Sequence, residues 1–119
     1  MSRYQLVYYE LENGRSPVRE FIDAQNRKMR ARIAFTERLL EENGPFIRMP
    51  YSRPLGDGLF ELRIQSGNDI ARVLYFLCKE HTIVLTNGFV KKTQKTPAAE
   101  IRLAKNYRED YERRVHHDI

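Results

Sequence analysis

Cysteine occurs once in this chain of 119 residues, at Cys78, so an internal disulfide cannot contribute to its stability. The thiol ends the run Val73-Leu74-Tyr75-Phe76-Leu77-Cys78, which reads as core and fits a reducing cytoplasm. That run of six is also the longest apolar stretch, far short of the roughly 20 residues a membrane-spanning helix needs. Met1-Ser2-Arg3-Tyr4 opens on an alternating, partly charged segment without a signal-peptide core, so neither secretion nor membrane association is expected. Histidine is scarce. His81 stands alone in a turn signal, and the adjacent His116 and His117 would point about 100° apart on a helix. With Asp57, Glu61 and Asp69 they show no metal-ligand spacing, and no metal or other cofactor is expected. A glycine-rich phosphate loop is missing too, because Gly56-Asp57-Gly58 precedes a strand and lacks the lysine and helix that such a loop requires. Arginine and lysine chemistry is what remains.

The composition is that of a soluble globular protein, 41% hydrophobic and 31% charged, and residues 1–119 are expected to form one domain. The net charge is +5, unevenly spread. Residues 1–47 carry eight basic and seven acidic side chains and residues 96–119 carry five of each, which leaves +4 for residues 48–95. A basic excess confined to one stretch is the footprint of a phosphate-rich partner, or of a surface charged for solubility.

Tyr4 to Tyr9 reads as a strand that ends at the turn signal Asn13-Gly14. Ser16-Pro17 marks a helix start, with Ser16 as N-cap and Pro17 at the first helical position, and Val18, Phe21 and Ile22 as its buried face. A second helix is expected from about Asn26 to Asn43, with Met29, Ile33, Thr36 and Leu40 on one stripe and Gly44-Pro45 as its stop. Arg27, Lys28, Arg30 and Arg32 crowd its N-terminal half and Glu41 and Glu42 its C-terminal end, against the helix macrodipole. These cations are either solvated or form a second basic surface. After a loop from Pro45 to Gly58, three strands (59–65, 70–78 and 82–90) are joined by turns short enough to force antiparallel pairing. Thr96-Pro97 repeats the N-cap-plus-proline signal before a final helix to about Arg114. The order β-α-α-β-β-β-α is that of an α+β fold: a small, mostly antiparallel sheet, an N-terminal helical hairpin and a C-terminal helix.

Alternation puts Phe60, Leu62 and Ile64 on one face of the 59–65 strand and Glu61, Arg63 and Gln65 on the other, so Arg63 should leave the sheet. The hairpin at Ser66–Asp69 should bring Arg72 beside it, and two like charges so placed repel unless an anion sits between them, for which a phosphate would suit. On the last strand, strict alternation would put Ile83, Leu85, Asn87, Phe89 and Lys91 on one face. Phe89 would then emerge at the strand's end beside Lys91, Lys92 and Lys95, an aromatic for a base and lysines for the backbone, unless the ring belongs to the core.

Ser52-Arg53-Pro54-Leu55-Gly56-Asp57-Gly58-Leu59-Phe60-Glu61-Leu62-Arg63, then Ala71-Arg72-Val73-Leu74-Tyr75-Phe76, then Asn87-Gly88-Phe89-Val90-Lys91-Lys92-Thr93-Gln94-Lys95-Thr96-Pro97 resemble toxins of the RelE/ParE superfamily. The likeness is strongest to the HigB-like branch, and with Ser16–Phe21 it spans nearly the whole chain. It implies a RelE-like fold and a ribosome-dependent mRNA endonuclease, held in check by a cognate antitoxin that is often a helix-turn-helix protein. Carried over by motif, it implies catalytic roles for Arg63, Arg72, Lys91 and Lys92, with Arg53, Phe89 and Lys95 binding RNA, and a metal-independent attack by the ribose 2′-hydroxyl. The ParE branch, which binds DNA gyrase without enzymatic action, and a non-catalytic nucleic-acid-binding protein are the alternatives.

Overall fold

The computed structural model describes residues 3–92 and 95–117, the last without its side chain. Met1, Ser2, Thr93, Gln94 and the side chain of His117, all part of the reading above, lie outside the described residues. The elements are β1 (Gln5–Tyr8), α1 (Pro17–Asp23), α2 (Arg27–Asn43), a single 3-10 turn (Gly44–Phe46), β2 (Ser52–Gly56), β3 (Leu59–Ser66), β4 (Asp69–Cys78), β5 (Thr82–Val90) and α3 (Ala98–His117). The α+β class and the helical hairpin are as expected.

Both N-terminal helices start where a side chain can take up an orphan amide. The Ser16 hydroxyl accepts from the Arg19 N–H at 3.2 Å, and Asn26 Oδ1 accepts from the Met29 N–H at 2.8 Å. Helix α2 stops at Gly44, where φ is +53° and a Cβ would fall 2.3 Å from the Tyr4 ring, so no other residue fits.

The five strands lie in the order β1-β5-β4-β3-β2, with β1 parallel to β5 and the other pairs antiparallel. β4 is central and apolar on both faces, as read. One face receives α1 and α2: Val18, Met29, Ile33 and Leu40 pack on Leu62, Ile64, Val73, Ile83 and Leu85. The other receives α3, whose Ala104, Ile101, Tyr107 and Tyr111 pack on Leu59, Leu74, Phe76, Val84 and Phe89. Among the described residues no helix is long and apolar enough to cross a membrane.

Three features depart from the sequence reading. The loop before β3 contains a strand, β2, which forms a hairpin with β3 through the two-residue turn Asp57-Gly58. Both turn residues have positive φ, +55° and +80°, the geometry that Asp-Gly favours in a tight hairpin. The tip is tied to α3 by Lys105 Nζ, 2.8 Å from Asp57 Oδ2, and by Arg108 Nη1, which donates to the Asp57 carbonyl at 2.5 Å.

Strict alternation also fails on β5. Leu74 pairs with Asn87 but Tyr75 with Leu85, so Thr86 is an extra residue, a β-bulge. The bulge reverses parity: Ile83 and Leu85 face α1 and α2, whereas Asn87 and Phe89 face α3. Finally, Thr96 does not cap α3. Its hydroxyl donates to Glu61 Oε2, and the first turn of the helix instead closes on the Pro97 carbonyl.

Candidate nucleic-acid interface

The β3–β4 ladder sets Arg63 directly opposite Arg72, and β5 continues the row with Phe89. On the other side the Arg63 N–H donates to the Tyr51 carbonyl at 2.8 Å, placing Tyr51 next to Arg63 just before β2. Arg53 is the register partner of Glu61 and is exposed. Expected neighbours therefore do meet, and strand register alone arranges them.

Depth is another matter. Arg72 is 4% exposed and Glu61 fully buried, while the Arg63 side chain keeps 22% of its surface. Arg72 thus does not leave the sheet: it is buried beside Glu61, whose Oε2 accepts the Thr96 hydroxyl. The anion called for between the two arginines is the protein's own. Glu61 Oε1 lies 3.3 Å from Arg72 Nε and 3.8 Å from Arg63 Nε, and none of these three atoms has an aligned hydrogen bond among the described residues. Burial, followed by the Arg63 charge, pulls the Arg72 pKa below its ordinary value, and Glu61 opposes that pull. The guanidinium nevertheless stays cationic.

Lys91 follows the end of β5, its N–H donating to the Ile70 carbonyl at 2.8 Å. Burial lowers its pKa first, and the fields of Arg72, Arg63 and Arg53 add to that, against Glu61. One ammonium and three guanidinium groups thus share a single field. Lys92 and Lys95 are exposed nearby in sequence.

Beside this cluster opens a cleft of about 300 Å³ lined by Arg32, Pro50, Tyr51, Arg63, Ile64, Gln65 and Arg72. Arg32 reaches it from α2, with Nε–H donating to the Gln65 carbonyl at 3.2 Å and the guanidinium 5.6 Å from the centre of the Phe35 ring. Among the described residues no acidic side chain lines the cleft. Such a wall suits an anionic, partly aromatic ligand.

The family model described as Phage derived protein Gp49-like (DUF891) matches residues 20–109, from within α1 to within α3. The chain belongs to the Gp49-like family. That family is one of RelE/ParE-like toxins of toxin–antitoxin systems. No curated protein matches the chain.

The matched span of the Gp49-like chain holds every expected site residue, but Phe89 is not placed as a stacking platform. It is 9% exposed and packs with Leu74 and Ala104 under α3, because the Thr86 bulge turns it onto that face. Arg53, Lys92 and Lys95 remain at the surface. Sequence reasoning missed Tyr51 and the central position of Glu61, and it placed Arg32 on a separate basic surface of α2, not at this cleft. Asp57-Gly58 was the available signal for the first, since a two-residue turn there forces a strand back along β3 and brings Tyr51 to Arg63. Among the described residues no three His, Cys, Asp or Glu side chains converge as metal ligands.

Proposed function

We propose that this Gp49-like chain is the toxin of a type II toxin–antitoxin system and cleaves mRNA on the ribosome, as the HigB-like branch does. The observation that carries the reading is the Arg63–Arg72 pair, set by β3–β4 register at the mouth of a cationic cleft with Lys91 in the same field. The ribose 2′-oxygen attacks the adjacent phosphorus while the bond from phosphorus to the 5′-oxygen breaks. The 2′-hydroxyl proton goes to a base and the leaving 5′-oxygen takes one up, which leaves a 2′,3′-cyclic phosphate and a 5′-hydroxyl. Negative charge grows on the phosphorane oxygens, and cations already held in place stabilise it without reorganising. Arg63, with its exposed surface, makes the direct contact; Arg72, buried behind it, acts through its field. Lys91 is the proton carrier, because a lysine pKa drawn downward is better matched to transfer near neutral pH. Arg53, Lys92 and Lys95 hold the RNA backbone.

So small a set of groups does not by itself impose in-line geometry, and the ribosome supplies it by presenting a fixed mRNA conformation in the cytoplasm. The partner is a cognate antitoxin, of helix-turn-helix type in this reading, with acidic groups against Arg63 or the Lys91-Lys92 pair. A cell-free translation reaction followed by primer extension on the mRNA tests the proposal. Discrete cuts that require translating ribosomes and vanish in Arg63→Ala are expected. Intact mRNA together with inhibited gyrase supercoiling would replace the proposal with a ParE-like action, and RNA retention without cuts would leave a binding protein.

A further inference from the structure

With Phe89 in the core, the RNA reading lacks a surface to receive a base, and the cleft supplies one. We propose that Tyr51 stacks a nucleobase of a single-stranded ribonucleotide segment while Arg32, from α2, holds its phosphate, so that the cleft receives the base and positions the strand over Arg63. This rests on the RNA-cleaving function proposed above.

Four observations converge on Tyr51 and Arg32. Tyr51 is 37% exposed and lines the cleft next to Pro50, whose fixed φ limits local motion. Its backbone is anchored on both sides, since the Tyr51 N–H donates to the Arg48 carbonyl at 2.9 Å and its carbonyl accepts from Arg63. The Cα from which the ring projects is thereby fixed, while its hydroxyl has no partner among the described residues. Arg32 is oriented in advance through Nε on the Gln65 carbonyl and by the Phe35 ring beneath it, and among the described residues it has no acidic partner, so its terminal nitrogens are available to a phosphate. An aromatic residue beside guanidinium groups, with no carboxylate among the described residues that line the space, matches a base and its phosphodiester. An acidic peptide would use the guanidinium groups but would leave the ring without a role.

A 2′-O-methylated tetranucleotide, which lacks the attacking hydroxyl, serves as the probe, with a version abasic at one position and a tetraglutamate peptide beside it. NMR with ring-labelled tyrosine should show the Tyr51 ring signals moving upfield as the oligonucleotide is added, the signature of a stacked ring. Tyr51→Ala should weaken binding by about five- to 150-fold, the range that one base–aromatic stack is worth. Tyr51→Phe should bind like the parent. Removing the base should weaken binding to the parent and have no further effect on Tyr51→Ala. Arg32→Ala should lower the slope of log affinity against log salt by roughly 0.7. Binding of the peptide, with no upfield shift and no binding from the oligonucleotide, would overturn the inference in favour of a protein partner. A parent that cuts mRNA, with Tyr51→Ala binding equally and cutting at the same bases, would overturn the Tyr51 assignment alone. A parent that neither binds the oligonucleotide nor cuts mRNA would remove the function on which the inference rests.

Discussion

Replacing Glu61 by glutamine keeps the volume and the acceptor for the Thr96 hydroxyl but removes the charge between Arg63 and Arg72. At an effective dielectric constant of about 20, the gross attraction over the 3.3 Å to Arg72 is about 5 kcal/mol. The attraction to Arg63, over 3.8 Å, is similar in kind but is discounted because that side chain is partly in water. Desolvation has already consumed much of both terms, and what the variant loses is compensation for a buried guanidinium, which generally costs 3–5 kcal/mol. Against a total stability of 5–15 kcal/mol the loss is large, corresponding to a fall in Tm of roughly 10–20 °C for a chain of this size. Urea unfolding at neutral pH should show a lower midpoint with an unchanged m-value. Glu61→Leu combined with Arg72→Met, which removes both charges, should recover most of the loss, and sulfate should stabilise Glu61→Gln more than the parent by replacing the missing anion. If Glu61→Gln alone stayed within about 0.5 kcal/mol of the parent, the carboxylate would not be the counter-ion of the buried arginine and the account of the site would fail.

Arg63→Ala and Arg72→Ala should both abolish growth inhibition at equal expression, yet differ in stability: Arg63→Ala should unfold near the parent midpoint, whereas Arg72→Ala strands Glu61 and should lower it by several degrees. Lys91 has a folded pKa below its unfolded value, so stability should rise with pH through the window between that value and the ordinary 10.5, as the proton leaves the folded chain first. Lys91→Gln should abolish that rise in a Tm–pH series. Glu37 behaves oppositely, because burial raises its carboxyl above the ordinary 4.5 while it accepts the Tyr8 hydroxyl at 2.6 Å. Stability should therefore fall as pH climbs from 4.5 through its raised pKa, and Glu37→Gln should flatten that limb. Downstream mRNA fragments should carry a 5′-hydroxyl and accept phosphate from polynucleotide kinase without prior dephosphorylation; a 5′-phosphate would refute attack by the ribose hydroxyl.

Whatever depended on neighbouring residues was legible in the sequence. Ser16-Pro17 and Asn26 start α1 and α2 because a side-chain oxygen within three residues meets the orphan amide, and the stripe Met29, Ile33, Thr36 and Leu40 follows from helical period. The Arg63–Arg72 register follows from a short hairpin, since a turn at Gly67-Asn68 leaves Ser66 opposite Asp69 and every later pair in step. Tertiary structure decided the rest. β2 was hidden by Pro54 and Gly56, which read as loop and are tolerated because the strand lies at the sheet edge. The Thr86 bulge turned Phe89 from the surface into the core, and no local residue preference announces such a one-residue shift. Thr96, whose local sequence reads as a helix cap, bonds Glu61 instead, 35 positions away. Alternation along β3 and β4 told which face Glu61, Arg63 and Arg72 occupy but not how deep they lie. Depth depends on what packs over that face: Arg72 is buried with Glu61, which Thr96 meets from far along the chain, while Arg63 stays partly exposed where it lines the cleft.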